Sequence, residues 1–200
     1  MADGGTVERQ IEEAVACLRR GEVVAFPTET FYGLAADARS AAAVERLVSL
    51  KGRPQGKPIP CIVGELPQVA QLCVEWPPLA ARLAARFWPG PLTLVVPARP
   101  ELPAPLRPEG TVGLRLSSHP LARALALGLA GPITSTSANL SGGREVSRAS
   151  DLDPALRPQL GFVLDGGPTP GGLGSTVARI DGDRLTCFRD GAIPFRDLVP

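Results

Sequence analysis

Apolar residues recur every three to four positions over residues 7–20. Ile11, Val15 and Leu18 share one face there and Gly21 follows as a terminator, so the spacing predicts an amphipathic helix. Val23 to Phe26 is a short continuous apolar run that ends at Pro27, the mark of a buried strand. Ser40 stands where a helix N-cap belongs, and Val44, Leu47 and Val48 form the core face of a second helix running to Leu50. Ile59 to Val63 reads as a strand. Pro78 to Phe87 reads as a helix with Leu79, Leu83 and Phe87 at i, i+4 and i+8. Leu92 to Val96 is a strand after the Trp88-Pro89-Gly90-Pro91 turn, Val112 to Leu116 another, Pro120 to Leu129 a helix, and Ile133 opens a further strand.

After Ile133 the pattern changes. Arg144 to Pro158 is polar and irregular, Gly161 to Leu164 is a strand, and Gly166 to Gly174 is a Gly/Pro loop. Ser175 to Ile180 and Arg184 to Phe188 read as a hairpin about Asp181-Gly182-Asp183. Crossover helices imply parallel pairing and the hairpin implies antiparallel pairing. The expected fold class is therefore α/β, a twisted mixed sheet with packed helices, in one domain over residues 1–200.

Composition narrows the function classes. A hydrophobic content of 44% supports a substantial core, and the 22 Pro and 22 Gly are interleaved with apolar runs, which argues for rigid turns rather than disorder. A net charge of +1 lacks the basic excess of a nucleic-acid binder, although a local basic cleft stays open. Four scattered cysteines and one histidine favour reduced thiols over disulfides and speak against a protein-held metal. No apolar run approaches the roughly 20 residues of a membrane span, and the polar, acidic start is unlike a leader, so the cytoplasm is the expected compartment.

Scarce residues mark candidate chemistry. The two lysines, Lys51 and Lys57, fall within one Gly/Pro-punctuated segment that also holds Arg53, while positive charge elsewhere is written as Arg. Such a loop taken alone is more often a solvated basic segment, but a compact ammonium on a flexible stem suits a phosphate, and the confinement of lysine to this segment favours a phosphate site. Tyr32, Asn139 and His119 are each the single residue of their type. Phosphate-loop, dinucleotide and nucleophile-elbow patterns are absent, and one histidine makes a triad improbable. What remains is hydroxyls, Arg, Lys and Gly, groups that hold an anion without attacking it. Ser135 to Gly143 follows an apolar strand and suits either an anion nest or a capped turn. Thr111 and Arg115 lie four apart on one strand face. Glu29 and Asp37 are open as a base or a cation contact, Phe87 to Thr93 reads as a rigid turn with aromatic packing, and His119 as a helix start.

In order along the chain, PTETFYGL (27–34), KGRPQGKP (51–58), FWPGPLTL (87–94), RLSSHP (115–120), STSANLSG (135–142), GSTV (174–177) and RDGAI (189–193) resemble the YrdC-like family of threonylcarbamoyl-adenylate synthases. The resemblance implies a concave basic cleft that takes ATP, L-threonine and bicarbonate or CO2, with Mg²⁺ carried on the ATP rather than held by protein side chains. It places threonine near Thr30, Arg115, Ser135 and Ser175. It places ATP near Arg53, Lys57, Thr111, Ser137 and Arg189, with Glu145 touching the nucleotide through its backbone and Lys51 close to the phosphates. Lys51 and Arg53 are the expected catalytic cations. Leu116 and Ser118 stand where the pattern has Pro and Asp, and Phe31 where Val is usual, which bears on loop geometry. With the chain ending at Pro200, the short single-domain form is expected.

The implied activity is adenylyl transfer to N-carboxy-threonine, the product passing to a tRNA-modifying transferase complex for threonylcarbamoyladenosine. The competing class is a double-stranded RNA or ribosome-associated binding protein using the same cleft, with weak RNA binding possible in either case. A carbamoyl transferase would need acylphosphatase and zinc-finger-like segments that these residues do not contain.

Overall fold

The computed structural model describes residues 4–52 and 58–199. Arg53 and Lys57 therefore lie outside the described residues. Helix α1 (Gly4–Arg19) leads into strand β1 (Val24–Pro27) and strand β2 (Tyr32–Ala35). Helix α2 (Ala41–Lys51) starts at Ser40, whose Oγ accepts from Ala43 N at 3.3 Å, as its N-cap spacing predicts. It ends at Gly52, whose left-handed φ of 55° is a conformation that glycine adopts without the cost a Cβ brings. Then come β3 (Cys61–Val63), α3 (Pro78–Phe87), β4 (Leu92–Pro97), β5 (Thr111–Leu116), α4 (Pro120–Gly128), β6 (Ile133–Thr134), β7 (Thr136–Ser137), β8 (Phe162–Val163), β9 (Thr176–Asp181) and β10 (Arg184–Arg189).

The fold is α/β with mixed pairing, divided between two sheets where the patterning suggested one. The larger has the order β10-β9-β4-β5-β3-β6 and the smaller β7-β2-β1-β8. In the larger sheet β4 pairs parallel with β9 and antiparallel with β5, while β3 pairs parallel with β5. In the smaller, β1 pairs antiparallel with β2 and parallel with β8. The chain crosses between the sheets at Ser135, which separates β6 from β7. Its N–H is tied to the Pro60 carbonyl at 2.7 Å.

Strand β1 is buried on both faces and serves two cores. Val23 and Ala25 face the main core between the sheets, with Tyr32, Leu34, Leu94 and Leu114. Val24 and Phe26 face a second cluster with Val15, Leu18, Leu125 and Ala126, which seats α1 and α4 on the outer side. Strand β2 was not anticipated from the patterning. Its four residues are all buried, so the period-two signal of a half-exposed strand is missing.

Candidate functional site

Alternation along the central strands of the larger sheet prepares one face for chemistry. In β5, Val112, Leu114 and Leu116 enter the core, whereas Thr111, Gly113 and Arg115 face the other way. In β4 the same split puts Thr93 and Val95 beside them, and Ser175, just before β9, and Val177 within it join them. Gly113 keeps this floor low: a Cβ there would meet Thr93 Cγ2 at 3.2 Å. The smaller sheet supplies the opposite wall through Thr28, Thr30, Phe31 and Gly33, and the sheet crossing adds Ser135 and Ser137. The cleft between them measures about 630 Å³, within the usual range of small-ligand sites.

Eight of the residues singled out from the sequence line this cavity: Thr30, Thr111, Arg115, Ser135, Ser137, Glu145, Ser175 and Arg189. They come from six separated stretches of the chain. Lys51 is absent from the described lining. It is buried at the end of α2, its Nζ donates to the Ser137 carbonyl, and its own carbonyl accepts from Ser141 N at 3.1 Å. The ammonium thus stands one residue behind the wall. Among the described lining residues, Arg115 and Arg189 face two glutamates, Glu109 and Glu145. The positive excess expected of the cleft would have to come from cations outside this set.

Arg115 is the most constrained charge in the site. Its side chain is 6% exposed, its Nη1 lies 3.4 Å from Glu29 Oε1, and it donates no hydrogen bond to any described residue. Burial pulls its pKa below the ordinary guanidinium value, opposed by Glu29 and reinforced by the nearby positive Arg189. Apart from that ion pair on one nitrogen, the buried fork has N–H groups to spare, a geometry that a planar carboxylate would match.

Arg189 is held differently. Its Nε donates to the Ser175 carbonyl at 2.8 Å and its Nη2 to Ser175 Oγ at 2.9 Å. Gly174 lets it lie flat, since a Cβ at that position would sit 3.3 Å from the guanidinium carbon. Ser175 Oγ also lies 2.9 Å from Thr93 Oγ1. Opposite, Thr28 Oγ1 donates to the Phe31 carbonyl at 2.7 Å and accepts from Thr30 N at 3.2 Å. Thr111 Oγ1 donates to the Pro108 carbonyl at 3.1 Å.

Tyr32 is buried. Its hydroxyl donates to the Gly167 carbonyl at 2.7 Å and accepts from Gly166 N at 3.3 Å, anchoring the glycine-rich loop to β2. Burial first, and then neighbouring Asp165, raise the phenol to about 12, so it stays neutral. Cys61 lies at the cavity edge, but its side chain packs in the main core on the same face as Leu114, and burial lifts the thiol to about 12, which disfavours the nucleophilic thiolate. His119 caps α4, its Nδ1 accepting from Leu121 N at 3.3 Å, as its position before Pro120 implies. Asp37 pairs with Arg39 at 2.9 Å and stands apart from the cavity. Asn139 Nδ2 donates to the Leu140 carbonyl at 3.0 Å and braces the turn after β7.

Several lining residues were missed, Thr93, Glu109 and Phe188 among them. Thr93 sits in the stretch read only as a rigid turn, and Phe188 and Glu109 carried no sequence signal at all. Thr93 was legible in principle as the one polar residue inside an apolar strand. Among the described residues no group of three or more His, Cys, Asp or Glu is placed to hold a metal, and no helix is long and apolar enough to cross a membrane.

Known proteins share this arrangement. Threonylcarbamoyl-AMP synthase of Bacillus subtilis is 40% identical over 190 residues, covering 94% of this chain and 55% of the relative. The chain thus spans about half the length of that relative, and it spans 93% of a protein of the same name from Halorhodospira halophila, at 37% identity over 188 residues. The solved structure of Pyrococcus abyssi Sua5 complexed with L-threonine superposes with a TM-score of 0.91 at 36% identity, covering 96% of this chain and 56% of that one. The family model for Sua5, YciO and YrdC proteins, described as "Telomere recombination", matches residues 16–191. With most of the chain matched by that model and the same fold in a solved member, this chain belongs to the Sua5/YciO/YrdC family.

Proposed function

We propose that the chain is a threonylcarbamoyl-AMP synthase, a nucleotidyltransferase that joins ATP, L-threonine and bicarbonate or CO2 and releases pyrophosphate. The observation that carries this reading is the single cavity of about 630 Å³ lined by Thr30, Arg115, Ser135, Ser175, Thr111, Ser137, Glu145 and Arg189. The relatives' name and the L-threonine in the Pyrococcus abyssi structure support it.

In this reading the α-amine of threonine bonds to CO2 and gives up a proton, forming an N-carboxylate. One oxygen of that carboxylate bonds to the α-phosphorus of ATP, and the bond from that phosphorus to the β-phosphate's bridging oxygen breaks. The nucleophile comes from the substrates, so the reading asks for no nucleophilic side chain from the protein. The protein's task is to hold anions together and screen their repulsion. Arg115 takes the threonine carboxylate as a fork. Arg189, Thr111, Ser137 and the Glu145 backbone take the nucleotide, with Arg53 and Lys57 on its phosphates. Lys51 adds charge through the Ser137 carbonyl it holds. Mg²⁺ arrives on the triphosphate and screens its charge. The product goes on to a tRNA-modifying transferase, and the cytoplasm is where both substrates and tRNA meet.

The test is incubation with ATP, threonine, bicarbonate and Mg²⁺, detecting the adenylate by mass and pyrophosphate by a coupled assay. Omission of any one substrate should abolish both products. Pyrophosphate release without threonine would overturn the reading, and tight RNA binding with no adenylate would favour the binding-protein class instead.

A further inference from the structure

We propose that Glu29 is a positioning residue for Arg115, held in place by Ser117, and that this buried assembly sets how strongly the site prefers a free α-carboxylate. The inference rests on the reading of Arg115 as the group that takes the amino acid's carboxylate.

Glu29 sits between Thr28 and Thr30, both on the cavity wall, yet its own side chain does not line the cavity and is 12% exposed. It is turned instead toward the end of β5. There Ser117 Oγ donates to Glu29 Oε2 and accepts from His119 N at 3.2 Å, so the carboxylate is fixed by the loop that leads into α4. Residues two apart on an extended chain share a face, which is why Arg115 and Ser117 both reach the same carboxylate.

The second oxygen is the informative one. Glu29 Oε1 is shielded from solvent and accepts no hydrogen bond, while Arg115 Nη1 lies 3.4 Å away. A buried acceptor left without a donor is costly, and native structures retain few. Because this oxygen is sealed, an entering ligand cannot satisfy it. What compensates it is a charge already packed against it, the Arg115 guanidinium, through the ion pair at 3.4 Å. Glu29 therefore acts through Arg115 rather than on the ligand.

Two physical consequences follow. The carboxylate offsets the desolvation of a guanidinium that is 6% exposed, which would otherwise stand as an uncompensated buried charge. It also orients the fork, since the ion pair draws Nη1 to Glu29 and leaves the remaining N–H groups in a set direction. A fork so oriented discriminates a carboxylate, which accepts two parallel bonds, from an amide, which accepts one. An ion pair serving stability alone would not control that discrimination.

The test uses the full chain and compares L-threonine with L-threoninamide, by direct binding and as substrates with ATP, bicarbonate and Mg²⁺. Wild type should strongly prefer threonine. In Glu29→Gln the threonine KM should rise about 10–100-fold, the scale expected when a positioned group is misplaced. Threoninamide binding should change little, so the preference collapses, and the ATP KM should hold. Ser117→Ala should move the same ratio in the same direction by a smaller factor, and Ser117→Thr, which restores the hydroxyl, should return it. Should Glu29→Gln fail to fold, the two Ser117 variants decide. Folded variants that keep the wild-type preference, or that lose threonine and ATP affinity together, overturn the proposal. A wild-type chain that does not distinguish threonine from its amide removes the reading of Arg115 first, and this inference with it.

Discussion

Ser175→Ala tests whether the hydroxyl network under the cavity is a coupled unit. Ser175 is buried, and its Oγ lies 2.9 Å from Thr93 Oγ1 and accepts from Arg189 Nη2 at 2.9 Å. Removing Oγ leaves the Thr93 hydroxyl, 2% exposed, without that partner. An orphaned buried hydroxyl costs about 1–3 kcal/mol. Arg189 is exposed and keeps its bond to the Ser175 carbonyl at 2.8 Å, so water replaces the lost contact for at most a few tenths of a kcal/mol. At roughly 2–4 °C per kcal/mol for a domain of this size, the melting midpoint should fall by about 2–12 °C. Thr93→Val alone should cost less, because Ser175 Oγ then still has Arg189. The decisive measurement is the double variant in denaturant unfolding. With both hydroxyls gone no orphan remains, so the double variant should be more stable than the sum of the singles predicts, by about 1 kcal/mol. Additive losses would refute the coupling. Nucleotide affinity should fall in Ser175→Ala and stay reduced in the double variant, since Arg189 loses a support in both.

Three further outcomes are expected. Lys51→Ala should slow adenylate formation on the order of 10²–10³-fold, in a rate assay at saturating substrates, and a near-wild-type rate would exclude a role for the buried ammonium behind Ser137. Gly113→Val should raise the cavity floor between Thr93 and Pro60, which a Cβ would already approach at 3.2 and 3.5 Å. Overpacking of that kind costs about 1–3 kcal/mol of fold stability, and the raised floor should also weaken threonine binding by calorimetry, with far-UV circular dichroism unchanged. Burial lowers the His119 pKa below its ordinary value of 6.5 in the folded chain. The unfolded chain then binds the proton more readily, so His119 contributes stability that is full above about pH 6.5 and is lost as pH falls below it. His119→Asn, which retains a cap on α4, should flatten that part of a stability–pH profile.

Much of the fold was legible because the elements that matter are strongly periodic. Helix α3 spans the predicted residues, Pro78–Phe87, since Leu79, Leu83 and Phe87 recur at helical spacing and prolines stand before the first turn. The hairpin β9–β10 turns at Gly182-Asp183, within the predicted Asp181-Gly182-Asp183. Strand β2 was hidden because it is buried on both faces. The division into two sheets was hidden because nothing local marks Ser135 as the point where the chain leaves one sheet for the other. Tyr32 and Asn139 drew notice by their rarity, but one anchors a loop and the other braces a turn. Rarity flagged them without distinguishing support from chemistry.

Residue types and their spacing were enough to establish most of the helices and strands, the hydroxyl and guanidinium groups gathered in the cavity lining, and which motifs belong to one family. Those properties are local, written within a few residues of each other. Pairing decided the rest. Parallel β4 and β9 bring Thr93 to Ser175, the crossing at Ser135 sets one sheet against the other, and the end of β5 closes Arg115 and Ser117 on a glutamate from the β1–β2 turn. Contacts between residues 82 and 88 positions apart, such as Thr93 with Ser175 and Glu29 with Ser117, depend on how buried strands share a core, and that is settled only when the whole chain packs.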